Sequence, residues 1–466
     1  MTRETGQAAG RRFLPRGFHI LLTAQTVSLV GSQVTLLALP LTAIQLLGAG
    51  PFETGALLAC GRAPYLLLGP LVGVLVDRLP HRALLITANT VMALTLATVP
   101  LAALTGHICL PHLYTVVILV GAATVLADVA FLACVPTVVP LSQLVRAQTR
   151  LELGQSAALA LGPPLAGWLI AGFSAPTAIL ADTASFLAAT ALLPYVTTDR
   201  VPGAPTTTAH AGSRSLEPTH GMIRRVLSEA AEGALFVLRT SRLRAVTLAT
   251  GTLIFCYSAY SAVFLLHLTE RLHLSAAATG TVTGIAAAGC VVGTLLARPA
   301  ARVLGLGRVL VASLLAAAVG AMLTPMFQVS GWLVWPAVGL SQLLLWTSQQ
   351  VYNIHQVPIR YALSPPELHG RVNASIRTVV WSLAPVGALL GGACGAWFGT
   401  RTTLLGSGAL IVTAAAWIVK SPLWAVRTPQ LAELHPEPVS ATAHSTGQDE
   451  ATHPPRGERD EHKRPS

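Results

Sequence analysis

The chain reads as an all-α polytopic membrane protein, twelve transmembrane helices arranged as two six-helix pseudo-repeats. Three observations predict this. Of its 466 residues, 53% are hydrophobic and only 11% charged, whereas soluble domains carry about 25% charged residues. Twelve apolar runs each approach the roughly 20 residues that a bilayer core demands. A frame of glycines and arginines that closes the second run returns, without its acid, at the end of the eighth.

Residues 1–17 form a basic tail containing Arg11, Arg12 and Arg16. The apolar run behind it exceeds a signal-peptide core and lacks a clear small-residue cleavage site, so it is expected to be the first helix. The first half, 18–197, holds runs at 18–42, 53–76, 83–104, 113–138, 151–172 and 176–197. Residues 198–243 are rich in Pro, Thr and Arg and turn amphipathic from Met222 to Leu238, which predicts a cytoplasmic linker ending in a surface helix. The second half, 244–425, repeats the plan at 244–268, 276–297, 308–328, 332–356, 372–398 and 402–425. The tail at 426–466 is polar, Pro-rich and expected to be disordered.

Charge placement sets the orientation. The net charge is +11, yet the basic residues lie scattered in short connections and form no basic domain, which argues against a nucleic-acid partner. All 30 basic residues fall on the side of the tails except Arg62, inside a helix, and Arg271 and Arg401, in opposite loops. Both termini are therefore expected in the cytoplasm. Arginine greatly outnumbers lysine, which occurs only at Lys420 and Lys463, as in a GC-rich bacterial genome. The six cysteines are isolated, so neither a disulfide framework nor a metal site is expected.

The organising stretch is GPLVGVLVDRLPHR, Gly69 to Arg82. Gly69 and Gly73 make a small-xxx-small ridge that lets another helix approach, and Pro80 forces a tight connection. Gly289-x-x-x-Gly293-x-x-x-Ala297-Arg298-x-x-x-Arg302 echoes it in the second half. A parallel duplication of six-helix halves suits a central site gated by rocking one half against the other.

With Gly73, Leu75, Asp77, Arg78 and Arg82 matching a G-x-L-x-D-R-x-x-x-R signature, the chain resembles the major facilitator superfamily over residues 18–425. The segments GSQVTLLALP, ADTASFLAA and VYNIHQVPIRYALSPPELHGRVNASIR resemble the drug-efflux branch that includes macrolide and enterobactin exporters. The resemblance implies a gate in which Asp77 docks near the start of helix eleven, where a helix N-terminus favours a carboxylate. Arg82 would join a charge relay, with Arg78 beside it. Gly162, Pro163 and Gly167 in GPPLAG resemble a shortened antiporter motif, whose glycines and proline bend helix five where the halves slide. The alternative for each is ordinary topology charge or ordinary packing.

Ionisable residues inside spanning helices are costly and default to functional hypotheses. Arg62 on helix two could pair near the midplane with Asp128 on helix four, and Asp128 could instead join the cytoplasmic relay. Asp128 is the first candidate for proton coupling and Asp182 on helix six the second, a hydrogen-bonded structural role being the alternative for Asp182. Cavity candidates come from polar stripes on helices that line the cavity in the superfamily fold: Gln25, Ser28, Ser32 and Thr35 on helix one, Tyr257, Tyr260 and His267 on helix seven, and Trp346, Gln349, Gln350, Asn353 and Gln356 on helix ten. Amides, hydroxyls and aromatics in an apolar cavity suit an amphipathic or lipophilic molecule.

No phosphate-binding G-x-x-x-x-G-K-[ST] loop occurs, nor H-E-x-x-H or G-x-S-x-G, so neither an ATP-driven pump nor a membrane enzyme is favoured. The expectation is a monomeric, cofactor-free secondary transporter of a bacterial cytoplasmic membrane, in contact with lipid, exporting small lipophilic or antibiotic-like compounds by proton antiport. A proton-coupled importer of a small organic solute is the rival, and a membrane-embedded enzyme the distant one.

Overall fold

The computed structural model describes residues 14–140, 143–196, 235–327, 333–364 and 368–425, and at 69–71, 74, 77, 145, 370, 371, 374 and 425 the backbone alone. Residues 1–13 of the N-terminal tail, the C-terminal tail and most of the linker, including all but the last residues of its expected surface helix, lie outside the described residues; 235–239 are helical.

Twelve long helices follow in order among the described residues. They are α1 (Arg16–Leu47), α2 (Pro51–Arg78), α3 (His81–Leu104), α4 (Leu110–Val138), α5 (Leu144–Gly172) and α6 (Ala175–Leu192). The second six are α7 (Ser241–Leu266), α8 (Ala276–Leu304), α9 (Leu306–Leu323), α10 (Val334–Ala362), α11 (His369–Phe398) and α12 (Thr400–Val419). No strand occurs among the described residues. This is forced by the solvent, because a spanning segment must satisfy its backbone groups internally. By length and composition, nine of the helices are apolar enough to cross a membrane. Of the other three, α5 and α10 carry Glu152 and the Gln349–Gln350 pair in their interiors.

The helix pairings repeat. In the first half α1 packs on α5 and α6, α2 on α4, and α3 on α4 and α6. In the second, α7 packs on α11 and α12, α8 on α10, and α9 on α10 and α12. Each pairing maps onto its counterpart when six is added to the helix number. The two extensive contacts between halves, α2 with α11 and α5 with α8, are themselves counterparts. The duplication legible in the sequence is thus a two-fold repeat of packing.

Both inter-half contacts sit at the end of the bundle away from the chain termini. A Cβ on Gly392 of α11 would lie 2.7 Å from the Pro51 carbonyl oxygen, and one on Gly280 of α8 would lie 2.7 Å from the Gly167 Cα. These are backbone-to-backbone crossings that only glycine permits. Ala59, Ala262 and Ala388, from α2, α7 and α11, extend the first crossing as a buried cluster. The core at this distal end also takes Leu265 and Leu266 of α7 into the first half. At the terminus-bearing end, the core around Phe18, Val76, Leu84 and Val138 draws on the first half alone. The halves are therefore joined distally and separated proximally.

One expectation changes here. Among the described residues a Cβ on Gly73 would meet nothing within 4 Å, whereas one on Gly289 would meet the Leu343 carbonyl oxygen of α10 at 2.8 Å. Gly73 lies at the end of α2 where the halves stand apart.

The distal crossing yields a direct test. Gly392→Leu should overpack the α2–α11 contact at a cost of about 1–3 kcal/mol, lowering Tm in detergent. A cysteine placed at Ala388, 1% exposed, should then react faster with maleimide. Unchanged Tm and labelling would mean that this crossing does not hold the distal end shut.

Candidate functional site

The space between the halves begins just beneath the distal seam. On α2, Gly55, Ala59 and Arg62 follow at i, i+4 and i+7 and share one face, the face that meets α11 at Gly55. Arg62 is three residues below Ala59, about 4.5 Å along the helix axis. One turn further, Tyr65 donates a 2.8 Å hydrogen bond from Oη to Asp128 of α4. Asp128 follows Gly121 by seven residues, on the face of α4 that packs against Gly61 and Pro64 of α2. Arg377 of α11 precedes Ala388 by three turns on the same α2-facing side and lies within electrostatic reach of both Tyr65 and Asp128. From seam to proximal mouth, the wall thus runs Arg62, Tyr65 with Asp128, then Arg377.

The opposite wall is aromatic. Tyr257 of α7 and Trp346 of α10 meet edge to face with ring centroids 5.7 Å apart, and Tyr257 lies within electrostatic reach of Arg62. On α10, Gln349 is half-buried with an Oε1 that has no hydrogen-bond partner among the described residues, and Asn353 is exposed. Gln350 turns toward α8 and reaches Thr294 at 3.4 Å.

Several expected placements differ. Arg62 makes no ion pair with Asp128, whose Oδ2 instead accepts from Tyr65, one turn nearer the mouth. The polar stripe of α1 serves the first half's own interior. Gln25 and Ser28 line a cavity of about 10 Å³ with Leu85 and Asn89 of α3, Phe131 of α4 and Ala189 of α6, room for a single water. Thr35 donates a hydrogen bond to Asp182. Ser32, on the same stripe, is half-buried. In a membrane interior, side-chain hydroxyls and amides bond across helices when they can, and α6 offers α1 that partner.

Asp182 is 1% exposed. Besides Thr35, Ser185 donates to its Oδ1 at 3.0 Å and to its backbone carbonyl at 2.8 Å. A buried network in the second half is neutral: Gln342 of α10 donates to Tyr260 Oη of α7 at 2.7 Å and to Thr324 Oγ1, just after α9, at 2.9 Å. His267 sits near the distal end, 3.1 Å from Thr400 Oγ1.

The motif residues divide between packing roles and exposed ends. Gly162 faces Gln33 of α1, where a Cβ would collide with that side chain, while the Pro163 carbonyl and Gly167 abut Gly280 across the halves. Arg78 and Arg82 are exposed at the α2–α3 turn; the Asp77 side chain and Gly69 lie outside the described side chains.

Three positions escaped sequence reading. Tyr65 looks like an interfacial aromatic, and Arg360 and Arg377 look like topology charges. Arg360 is only 9% exposed, donates from Nη2 to Thr250 at 3.2 Å, and leaves Nε without a partner among the described residues. The available signal was their depth: Arg377 lies eight residues inside α11.

With this geometry established, residues 21–362 match the model of the Major Facilitator Superfamily. The chain belongs to the major facilitator superfamily. It is a membrane transporter of that type, and its two-fold helix pairing is that of the superfamily's duplicated halves. Solved structures agree in fold at low identity. A bacterial homologue of the iron transporter ferroportin, in an inward-facing state, superposes with a TM-score of 0.65 at 14% identity, covering 86% of this chain and 99% of that one. The nucleoside transporter NupG gives 0.66 at 12%, covering 87% and 98%. A bacterial homologue of the human lysosomal transporter Spinster, inward-facing and unoccupied, gives 0.64 at 13%, covering 86% and 95%. No curated protein sequence matches the chain.

The buried carboxylate supplies a test of this superfamily member's core. Asp182→Leu strands the Thr35 hydroxyl, at a cost of about 1–3 kcal/mol, while Asp182→Asn keeps an acceptor and should cost less. Thermal unfolding in detergent orders the two variants; equal Tm values would refute the hydrogen-bonded role.

Proposed function

We propose that this protein is a secondary active exporter of small lipophilic or antibiotic-like compounds, working by alternating access in exchange for protons. The observation that carries this reading is Asp128, a carboxylate in the space between the halves, hydrogen-bonded by Tyr65 of its own half and attracted by Arg377 of the other. Ionised, it draws α11 toward α4; protonated, it loses that attraction. A group whose partner belongs to the opposite half converts a proton into a preference for one conformation, and cargo that favours the ionised form completes the exchange. Asp182 is the lesser candidate, since its partners all lie in the first half.

The gate reading rests on the open proximal end. Among the described residues nothing lies against Gly73 of α2, which supports docking of α11 there when the proximal mouth closes, with Asp77 meeting its N-terminus and Arg78 and Arg82 at the same turn. Pro163 and Gly167 would act as the sliding contact between α5 and α8, with Gly162 seating α5 against α1. Arginine placement supports a cytoplasmic proximal face in a bacterial cell membrane, with both termini cytoplasmic; the conformation described is then inward-facing. Gln349, Asn353, Trp346 and Tyr257 supply amide and aromatic contacts suited to lipophilic cargo, and the drug-efflux resemblance favours export over import. The unit of function is the monomer.

Two measurements bear on this. In proteoliposomes, Asp128→Asn should abolish drug-dependent proton release; unchanged release removes it as the coupling group. Asp77→Asn should reduce drug efflux from intact cells far more than it reduces membrane expression, and normal efflux would refute the latch.

A further inference from the structure

Arg62 is a charged group that neither the coupling step nor the gate employs. It has no hydrogen bond, ion pair or ring contact among the described residues, and it sits at the closed end of the space between the halves, directly under the Ala59–Ala262–Ala388 cluster. Its position is fixed by helix phase: it shares the face of α2 on which Gly55 abuts α11, so the guanidinium belongs to the inter-half space rather than to lipid. The charged groups on helices packed against α2 at this level are Asp128 of α4, already engaged by Tyr65, and Arg377 of α11, which carries the same sign as Arg62. From α7 comes the Tyr257 phenol. An uncompensated guanidinium deep in a spanning helix is costly, and its planar fork is shaped for a carboxylate.

We propose that Arg62 receives a carboxylate of the cargo, which makes the preferred cargo amphoteric: an acid group at the closed end, an amine directed toward Asp128, and an aromatic body against Tyr257 and Trp346. The order of charges suits this arrangement. Arg62 is one helical turn deeper than Tyr65, the residue that holds Asp128, so positive and negative groups line up along the axis of the cavity. An amine beside Asp128 competes with the proton and preserves exchange, whereas a cargo bearing only an acid would favour the protonated carboxylate and oppose it. The amine arm rests on the exchange reading above; the carboxylate site at Arg62 does not.

The test uses the full-length protein in nanodiscs and two fluorescent probes with the same aromatic body, dansyl-aminocaproate carrying only a carboxylate and dansylcadaverine carrying only an amine. Arg62→Gln should weaken dansyl-aminocaproate by about tenfold or more, the scale of losing one charge-assisted contact, and weaken dansylcadaverine less. Arg62→Lys should restore most of the carboxylate probe's affinity, which separates charge recognition from misfolding. Asp128→Asn should act mainly on dansylcadaverine. If dansyl-aminocaproate fails to bind the wild type, or binds Arg62→Gln equally well, the assignment is overturned. Proton movement driven by dansylcadaverine in reconstituted vesicles reads exchange separately. Exchange without an Arg62 effect removes only the anion site, and an Arg62 effect without exchange removes only the coupling.

Discussion

The organisation of this transporter depends on close backbone approach at two points. The α2–α11 and α5–α8 crossings bring Gly55 against Gly392 and Gly167 against Gly280, distances at which no side chain fits. In a membrane, helices gain little by hiding apolar surface from lipid, so association rests on van der Waals contact and hydrogen bonding, and contact is greatest where backbones touch. Everything on the proximal side follows from the placement of these crossings. Because both lie in the distal half, the helices diverge from them and leave a space whose walls are the inward faces of α2, α4, α7, α10 and α11.

Polar groups in the membrane interior fall into two populations. One is satisfied within a half: Thr35, Ser185 and Asp182 in the first, Gln342, Tyr260, Thr324 and Ser341 in the second. These bonds tie each half together and let it move as a unit. The other population faces across the halves, where Arg62, Tyr65, Asp128 and Arg377 stand in a row. Arg377 belongs to the half opposite Tyr65 and Asp128, so its distance from them is set by how the halves stand, and a group of this kind can couple binding to conformation. The two populations cannot be distinguished by residue type, since both contain a membrane-embedded aspartate.

Much of the fold was legible because the bilayer imposes a length and a polarity on every span. The twelve runs and the duplication are local patterns, and each corresponds to an observed helix or pairing. Helix ends were less legible. α5 starts at Leu144 and α10 continues to Ala362, beyond the apolar runs at 151–172 and 332–356, because a helix persists into the interface after its sequence ceases to be apolar. The site was partly legible. Asp128 and Arg62 stood out as charges in apolar runs, while Tyr65 did not, since a tyrosine in a membrane helix carries no signal of its own. The α1 stripe of Gln25, Ser28, Ser32 and Thr35 has the periodicity of a cavity wall, and its periodicity is real, but period alone does not say which neighbour a face meets.

Hydrophobicity, helix length and charge asymmetry act on each segment separately, and from them the sequence by itself determined the number of spans, their duplication and the residues expensive enough to require a partner. Which partner each residue takes depends on rotation and crossing of helices distant in the chain, set by where glycines allow contact. Only the tertiary structure could therefore turn α1 inward to α6, engage Asp128 with Tyr65, bring Arg377 of one half before the carboxylate of the other, and leave Arg62 beneath the seam without an ion pair among the described residues.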